Sequence, residues 1–323
     1  MAASVQAKAP RAGIHVRVPA TSANLGAGFD SLGLALAMYD HLSVHVTQRP
    51  GISLRLHGEG SQTLHRDGRH LVAKVITDLA ARDGYELPGL VIIAKNRIPQ
   101  RRGLGSSAAA VVAAVAVYHS LRGDGMIDRA QMLRDASVFE GHPDNIAACI
   151  YGAVTVAWVH DGVAGAECVA PAPGLAAVLA VPKVNSSTAR ARKVLPETVP
   201  YADAVFNIAH TNMTLLALTQ RPQLLPLAIA DRMHERQRRS GWPASWALVK
   251  QLRAAGLAAA ISGAGSSVIV LHDGADATAV ARVVRSASGD KFAVRRADVD
   301  TAGVIVERVE ESETRPRPTR ARR

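Results

Sequence analysis

The segment Arg97-Ile98-Pro99-Gln100-Arg101-Arg102-Gly103-Leu104-Gly105-Ser106-Ser107-Ala108-Ala109-Ala110 runs a basic, Gly/Ser-rich loop into an alanine-rich stretch. A loop of this kind at the start of a helix leaves backbone N–H groups free at the positive end of the helix dipole, where phosphate binds. The glycines allow close backbone approach, and the serine hydroxyls can donate to phosphate oxygens or ligate Mg2+. No Gly-Lys-Ser/Thr follows, so it is not a Walker A loop. Gly103 to Ala108 does fit G-x-G-x-x-A, the dinucleotide pattern, with Asp124 at a suitable distance. Eight residues separate the preceding strand from Gly103, however, where that pattern needs a tight turn. A small-residue helix start used only for close packing is the third reading.

Three further segments could carry chemistry. Glu140-Gly141-His142-Pro143-Asp144-Asn145 places a proline at the first turn of a helix, with two polar residues behind it and a carboxylate ahead of it. This can be capping and dipole compensation, or a metal-binding carboxylate beside a reacting centre. Pro19-Ala20-Thr21-Ser22-Ala23-Asn24-Leu25-Gly26-Ala27-Gly28-Phe29-Asp30 reads as loop punctuation, or as a glycine loop whose one acidic residue receives an ammonium group. Ser262-Gly263-Ala264-Gly265-Ser266-Ser267 fits a tight turn near a ligand, or strand packing.

The elements that must position these residues follow from periodicity. Residues 14–18 alternate as a strand, which Pro19 interrupts. Residues 41–47 and 52–56 alternate again across Pro50-Gly51 and read as a hairpin. Leu71, Val75, Ile76 and Leu79 have helical spacing, with Gly84 as a stop. Residues 90–94 form a buried strand that feeds the phosphate-type loop, and a helix runs on to Leu121. Helices over 128–139 and 142–150 and strands over 153–159 and 176–181 follow. Later come helices over 201–219, 243–255 and 275–287, and strands over 258–261, 268–271, 292–296 and 304–309. The chain divides into a flexible leader (1–13), an N-terminal domain (14–165), a C-terminal domain (166–310) and a basic disordered tail (311–323). Gly and Pro accumulate at the boundary, between Asp161 and Gly174.

With 323 residues, 48% hydrophobic and 20% charged, wholesale disorder is excluded. The longest apolar run, Ala108 to Tyr118, spans 11 residues, too few for a bilayer. The N-terminus has no apolar export signal, and Cys149 and Cys168 are the only cysteines, which fits a reducing cytoplasmic compartment. The net charge of +11 falls to about +6 without the five arginines of the last nine residues. With aromatics at 4%, stacking platforms for nucleic acid are few, and the residual charge suits an enzyme with a polyanionic substrate.

The order P-A-T-S-A-N-L-G-x-G-F-D, P-x-x-R-G-L-G-S-S-A-A, E-G-H-P-D-N and S-G-A-G-x-S resembles the GHMP small-molecule kinases over roughly residues 14–310. The resemblance implies a two-domain α+β fold, the N-terminal half like ribosomal protein S5 domain 2 and the C-terminal half ferredoxin-like. It implies ATP-dependent phosphorylation of L-homoserine to O-phospho-L-homoserine in threonine synthesis, by a cytoplasmic homodimer. Another small alcohol, or a ligand-sensing relative without catalysis, are the alternatives.

Residue by residue, the resemblance assigns the ATP phosphates to Pro99, Arg102, Gly103, Leu104, Gly105, Ser106, Ser107, Ala108 and Ala109. Mg2+ goes to Ser107 and Glu140, and the amino-acid substrate to Asn24, Asp30, Asp144, Thr188, Arg192, Arg238 and Gly263. Asp30 suits the ammonium group, while Arg192 and Arg238 suit the α-carboxylate, which a guanidinium binds bidentately. Asn145 with Asp144 would orient the hydroxyl. Neighbouring Arg190, Arg236 and Arg239 read as solvated charge.

Two departures from the family pattern stand out: Gln237 where tyrosine is frequent, and Ser266 where proline is. Residues 19–30 hold no lysine, unlike mevalonate-type relatives, which favours an amino-acid substrate and a mechanism without a strong general base.

Overall fold

The computed structural model describes residues 12–123, 128–183, 194–274 and 276–310. The chain opens with β1 (Ala12–Asn24), β2 (Gly28–Thr47) and β3 (Ile52–Gly58), followed by α1 (Leu71–Arg82) and β4 (Gly89–Asn96). Three helices come next: α2 (Ser106–Arg122), α3 (Arg129–Ser137) and α4 (Pro143–Tyr151). The hairpin β5 (Val154–His160) and β6 (Val163–Val169) leads to β7 (Ala176–Pro182). Then come α5 (Tyr201–Thr219), the short α6 (Leu225–Ala228) and α7 (Glu235–Arg238), and α8 (Pro243–Ala254). The described chain ends with β8 (Ala258–Ile261), β9 (Val268–His272), α9 (Ala277–Ser288), β10 (Phe292–Asp298) and β11 (Ile305–Glu310).

The first sheet runs β11-β1-β2-β4-β3, with β5 and β6 added beside the first half of β2. Two local expectations change here. β2 and β3 are not hairpin partners: β4 lies between them, antiparallel to β2 and parallel to β3. The segment read as a loop after Pro19 is strand, since β1 continues pairing with β2 through Ala23, with a register shift at Pro19. β11 pairs with β1 only as far as Arg17, so Pro19 sits where its missing N–H leaves no ladder position empty on that side. The boundary region holds β6, whose Gly, Ala and Cys residues carry little strand signal.

Helix α2 is buried nearly all round from Ala108 to Leu121, and its alanines and valines let it lie close against the sheet. The second sheet has the antiparallel order β10-β7-β9-β8. With α8 and α9 this is a ferredoxin-like β-α-β-β-α-β layout. Strands β7, β8 and β9 are buried on both faces, while the edge strand β10 exposes one. Val178 and Ala180 of β7 face α8 and α9, while Ala177, Leu179 and Val181 join the main core. The two halves meet across a continuous core, and β11 returns the chain to the first sheet. Among the described residues no helix is long and apolar enough to cross a membrane.

Candidate active site

Helix α2 starts after Gly105, which adopts the left-handed conformation at φ 68°, and no side chain caps it. The N–H groups of its first turn therefore face the cavity in front of it. Gly103 is also left-handed, at φ 71°. A Cβ on Gly105 would run into Thr21 Oγ1, and one on Gly103 into the Ser262 carbonyl, so glycine is required twice over. The loop is pinned from behind: Thr21 N–H donates to the Leu104 carbonyl at 3.2 Å, and Ser267 N–H to the Arg102 carbonyl at 3.0 Å.

Helix α4 points its own start at the same space. Pro143 opens it, no side chain caps it from His142, and Asp144 lies buried in the first turn. Asp144 Oδ1 accepts from the Asn145 backbone N–H at 2.7 Å and from Asn145 Nδ2 at 3.1 Å. Two helix N-termini thus bring about half a positive charge each to one cavity.

The first motif forms the opposite wall. Asn24 at φ 71°, Leu25 at φ 47°, Gly26 at φ 77° and Asp30 at φ 55° make a left-handed turn of a kind that clusters at functional sites. Asn24 ties it down, donating from Nδ2 to the Gly263 carbonyl at 2.8 Å and accepting the Asp30 N–H at 3.1 Å. His142 Nδ1 lies 3.4 Å from Asp30 Oδ2. Ser262 links the last motif to the rest: its hydroxyl donates to the Gly103 carbonyl at 2.6 Å and lies 2.8 Å from Ser22 Oγ.

These walls enclose a cavity of about 510 Å³. Asn24, Asp30, Gly103, Gly105, Ser106, Ser107, Ala108, Ala109, Glu140, Asp144, Asn145, Arg238 and Gly263, all singled out from sequence, line it together. Three others do not: Pro99 and Leu104 are buried in the loop, and Arg102 reaches the Lys183 carbonyl at 3.0 Å. Thr188 and Arg192 lie outside the described residues. Of the three arginines in one short stretch, Arg238 is 1% exposed and faces the cavity, while Arg236 and Arg239 face solvent.

Sequence reasoning missed the far end of the cavity, where Leu64, Leu71 and Val72 lie with His65, Arg69 and His70. His70 caps α1, its Nδ1 accepting from Val72 N–H at 3.2 Å. No motif marks this end, because apolar residues at helical spacing look the same whether they face a core or a ligand. Asp40 was missed too. Its Oδ1 accepts the N–H groups of Arg97, at 2.6 Å, and Ile98, at 2.9 Å, anchoring the base of the phosphate-type loop. Burial pushes its carboxyl up to about 6 despite those two bonds.

Among the described residues no cluster of three or more His, Cys, Asp or Glu side chains could cage a metal. Ser107 and Glu140 offer two oxygen donors on the cavity wall. That sparse set fits Mg2+, which keeps several waters and takes its remaining ligands from substrate phosphates.

Fold and cavity together define a small-molecule phosphotransferase of the two-domain GHMP type. The GHMP kinases N terminal domain matches residues 70–153, and the GHMP kinases C terminal domain matches residues 215–290. The homoserine kinase of Streptomyces avermitilis is 44% identical over 297 residues, 91% of this chain and 96% of that protein. The homoserine kinase of Clavibacter michiganensis is 41% identical over 300 residues, 92% of this chain and 95% of that protein. The crystal structure of homoserine kinase from Cytophaga hutchinsonii superposes with a TM-score of 0.81 at 25% identity, covering 95% of this chain and all of that one. The mevalonate diphosphate decarboxylase of Enterococcus faecalis shares the fold, with a TM-score of 0.66 at 19% identity over 92% of this chain and 99% of that one. The chain belongs to the homoserine kinase family of the GHMP kinases.

Proposed function

We propose that this chain transfers the γ-phosphoryl group of ATP to the side-chain hydroxyl of L-homoserine, giving ADP and O-phospho-L-homoserine for threonine biosynthesis. The observation that carries the reading is the convergence of the uncapped starts of α2 and α4 on one cavity that also holds Asp30 and Arg238. Phosphate chemistry and the two ends of an amino acid are served from the same space.

In this reading the N–H groups from Ser106 to Ala108 cradle the phosphates, and the apolar end near Leu71 and Val72 takes the base. Mg2+, when bound through Ser107 and Glu140, would neutralise phosphate charge. Asp30 receives the ammonium group, and Arg238, with Arg192 and Thr188, the carboxylate. Asn145 is held in one orientation by Asp144 and Thr21 and directs the hydroxyl toward the phosphorus. The hydroxyl oxygen bonds to phosphorus as the bond to ADP breaks, and its proton passes to the transferred group or to water. A loose transition state asks for alignment and charge neutralisation more than for a base, and no lysine stands in residues 19–30 to act as one.

ADP release is the test, with Mg-ATP and homoserine, mevalonate, threonine, serine or shikimate. Selective turnover of homoserine that is lost in Arg238→Ala supports the reading. Turnover of another alcohol, or of none of these, overturns it. A cytoplasmic homodimer is the expectation the family carries, and light scattering of the purified chain checks its assembly.

A further inference from the structure

Arg238 does not reach the cavity alone. His234, one helical turn earlier, is fully buried with both ring nitrogens engaged. Its Nε2 lies 2.8 Å from the Gly26 carbonyl and its Nδ1 3.4 Å from Arg238 Nη1. Nε2–H can donate to Gly26 while Nδ1 accepts from the guanidinium, and the buried Asp231 carboxylate lies 3.7 Å from the same Nε2. The ring also stacks on Phe29, with centroids 4.9 Å apart at 20°, and the Arg238 guanidinium carbon stands 5.1 Å from the centre of the same phenyl ring. Asp231 fixes the start of the segment by accepting the N–H groups of Met233, His234 and Glu235.

Gly26 lies in the turn between β1 and β2, and Phe29 and Asp30 open β2 directly after it. A Cβ on Gly26 would strike the Ile229 carbonyl, so that turn is seated directly against the chain leading into Asp231. From this geometry we infer that His234 is a positioning residue for amino-acid recognition. It refers the carboxylate-reading Arg238 to the turn that leads into the ammonium-reading Asp30, and so sets the spacing between the two. The inference rests on the homoserine reading given above. A flexible guanidinium would have to be ordered by the substrate, at a cost in affinity; one already aimed by an imidazole acceptor and a phenyl face is not.

The experiment compares L-homoserine with L-homoserine amide, a substrate of the same size without the carboxylate charge, in wild type, His234→Leu and His234→Asn. In His234→Leu, kcat/KM for homoserine falls about 10- to 100-fold through KM, KM for ATP holds within about threefold, and the preference for acid over amide shrinks by the same factor. His234→Asn places Oδ1 where Nδ1 stood and keeps that preference within about threefold of wild type. In an Arg238→Ala background, His234→Leu adds nothing to the loss. A general packing role would reduce acid and amide equally and leave the preference unchanged, which overturns the inference, as does an additive double variant. Should His234→Leu not fold, His234→Phe, which keeps a ring against Phe29 but has no nitrogen to accept from Arg238, and the double variant Arg238→Ala/His234→Phe carry the same comparison. Wild type without homoserine turnover overturns the functional reading and this inference together, whereas normal wild-type turnover with an unchanged preference overturns this inference alone.

Discussion

Thr21 Oγ1 donates a hydrogen bond of 2.8 Å to Asn145 Oδ1, across 124 residues of sequence. Thr21 is fully buried at the end of β1, beneath Gly105, and its partner stands in the first turn of α4. With Asn145 Nδ2 bound to Asp144, the amide has one orientation open to it.

Thr21→Val keeps the shape and removes the donor. We expect kcat to fall about 10- to 100-fold with KM for ATP nearly unchanged, and stability to fall by about 1–2 kcal/mol from the acceptor left unpaired. Steady-state kinetics and a thermal melt check this. A variant with unchanged kcat would mean that the amide needs no support from β1.

Gly33 of β2 backs α4. A Cβ there would stand 2.5 Å from the Asp144 carbonyl oxygen, 2.7 Å from Thr155 Oγ1 and 2.9 Å from the Ala148 methyl. Gly33→Ala must push α4 off the sheet, at about 1–3 kcal/mol, and carry Asp144 and Asn145 with it. Melting temperature and kcat should drop together, whereas Gly51→Ala, at an open turn, should leave kcat intact.

Glu140→Gln and Ser107→Ala test the proposed metal ligands. Each should lower turnover on the order of 100-fold or more, and the apparent affinity for Mg2+ should weaken in both. ADP release measured across Mg2+ concentrations, with a chelator as zero point, reads the shift. Loss of rate at unchanged Mg2+ dependence would move both residues out of the metal site.

Asp40 gives a pH signature. Burial raises its carboxyl to about 6 from the ordinary 3.8, so the folded state binds a proton that the unfolded chain has released. Its stabilising contribution is full below pH 4 and lost as pH rises through about 6, at roughly 1.4 kcal/mol per unit and about 3 kcal/mol at most. Asp40→Asn keeps an oxygen for the Arg97 and Ile98 N–H groups without the charge. Denaturant melts should show the variant gaining on wild type between pH 4 and 7. Asp135 works the other way. Burial pushes its carboxyl up, but bonds from His119 and Arg82 outweigh that and hold it to about 2, so its contribution is lost only as pH falls below 4. Taking the difference between variant and wild type removes it.

What could be read from the chain was local. Helix α5 has the bounds its spacing implies, Tyr201–Thr219. The Gly103-Leu104-Gly105-Ser106-Ser107 run sits at a helix start, and Arg238 is the buried arginine among three neighbours. The first two follow from rules that span a few residues: the period of a helix, the tolerance of glycine for positive φ, the chemistry of a free N-terminus; Arg238 was distinguished from its neighbours only by the resemblance to the family. Even there, the loop's free N–H groups favoured phosphate over mere packing, and both over a dinucleotide, without excluding either until the family pattern was set beside them.

The amino-acid sequence by itself determined the longer helices, the glycine turns and the order of the motifs, because those depend on neighbours along the chain; the short α6 and α7 were not read from it. Tertiary structure decided which pieces meet. β4 rather than β3 became the partner of β2, because strand pairing is chosen by which faces can be buried together and leaves little trace in either strand. Thr21 found Asn145, His234 found Gly26, and Leu71 and Val72 turned one edge of a core helix toward a cavity. A hydroxyl, an imidazole and two apolar side chains have the same local pattern whether they serve a core or a site, and only packing across the fold gives them their partners.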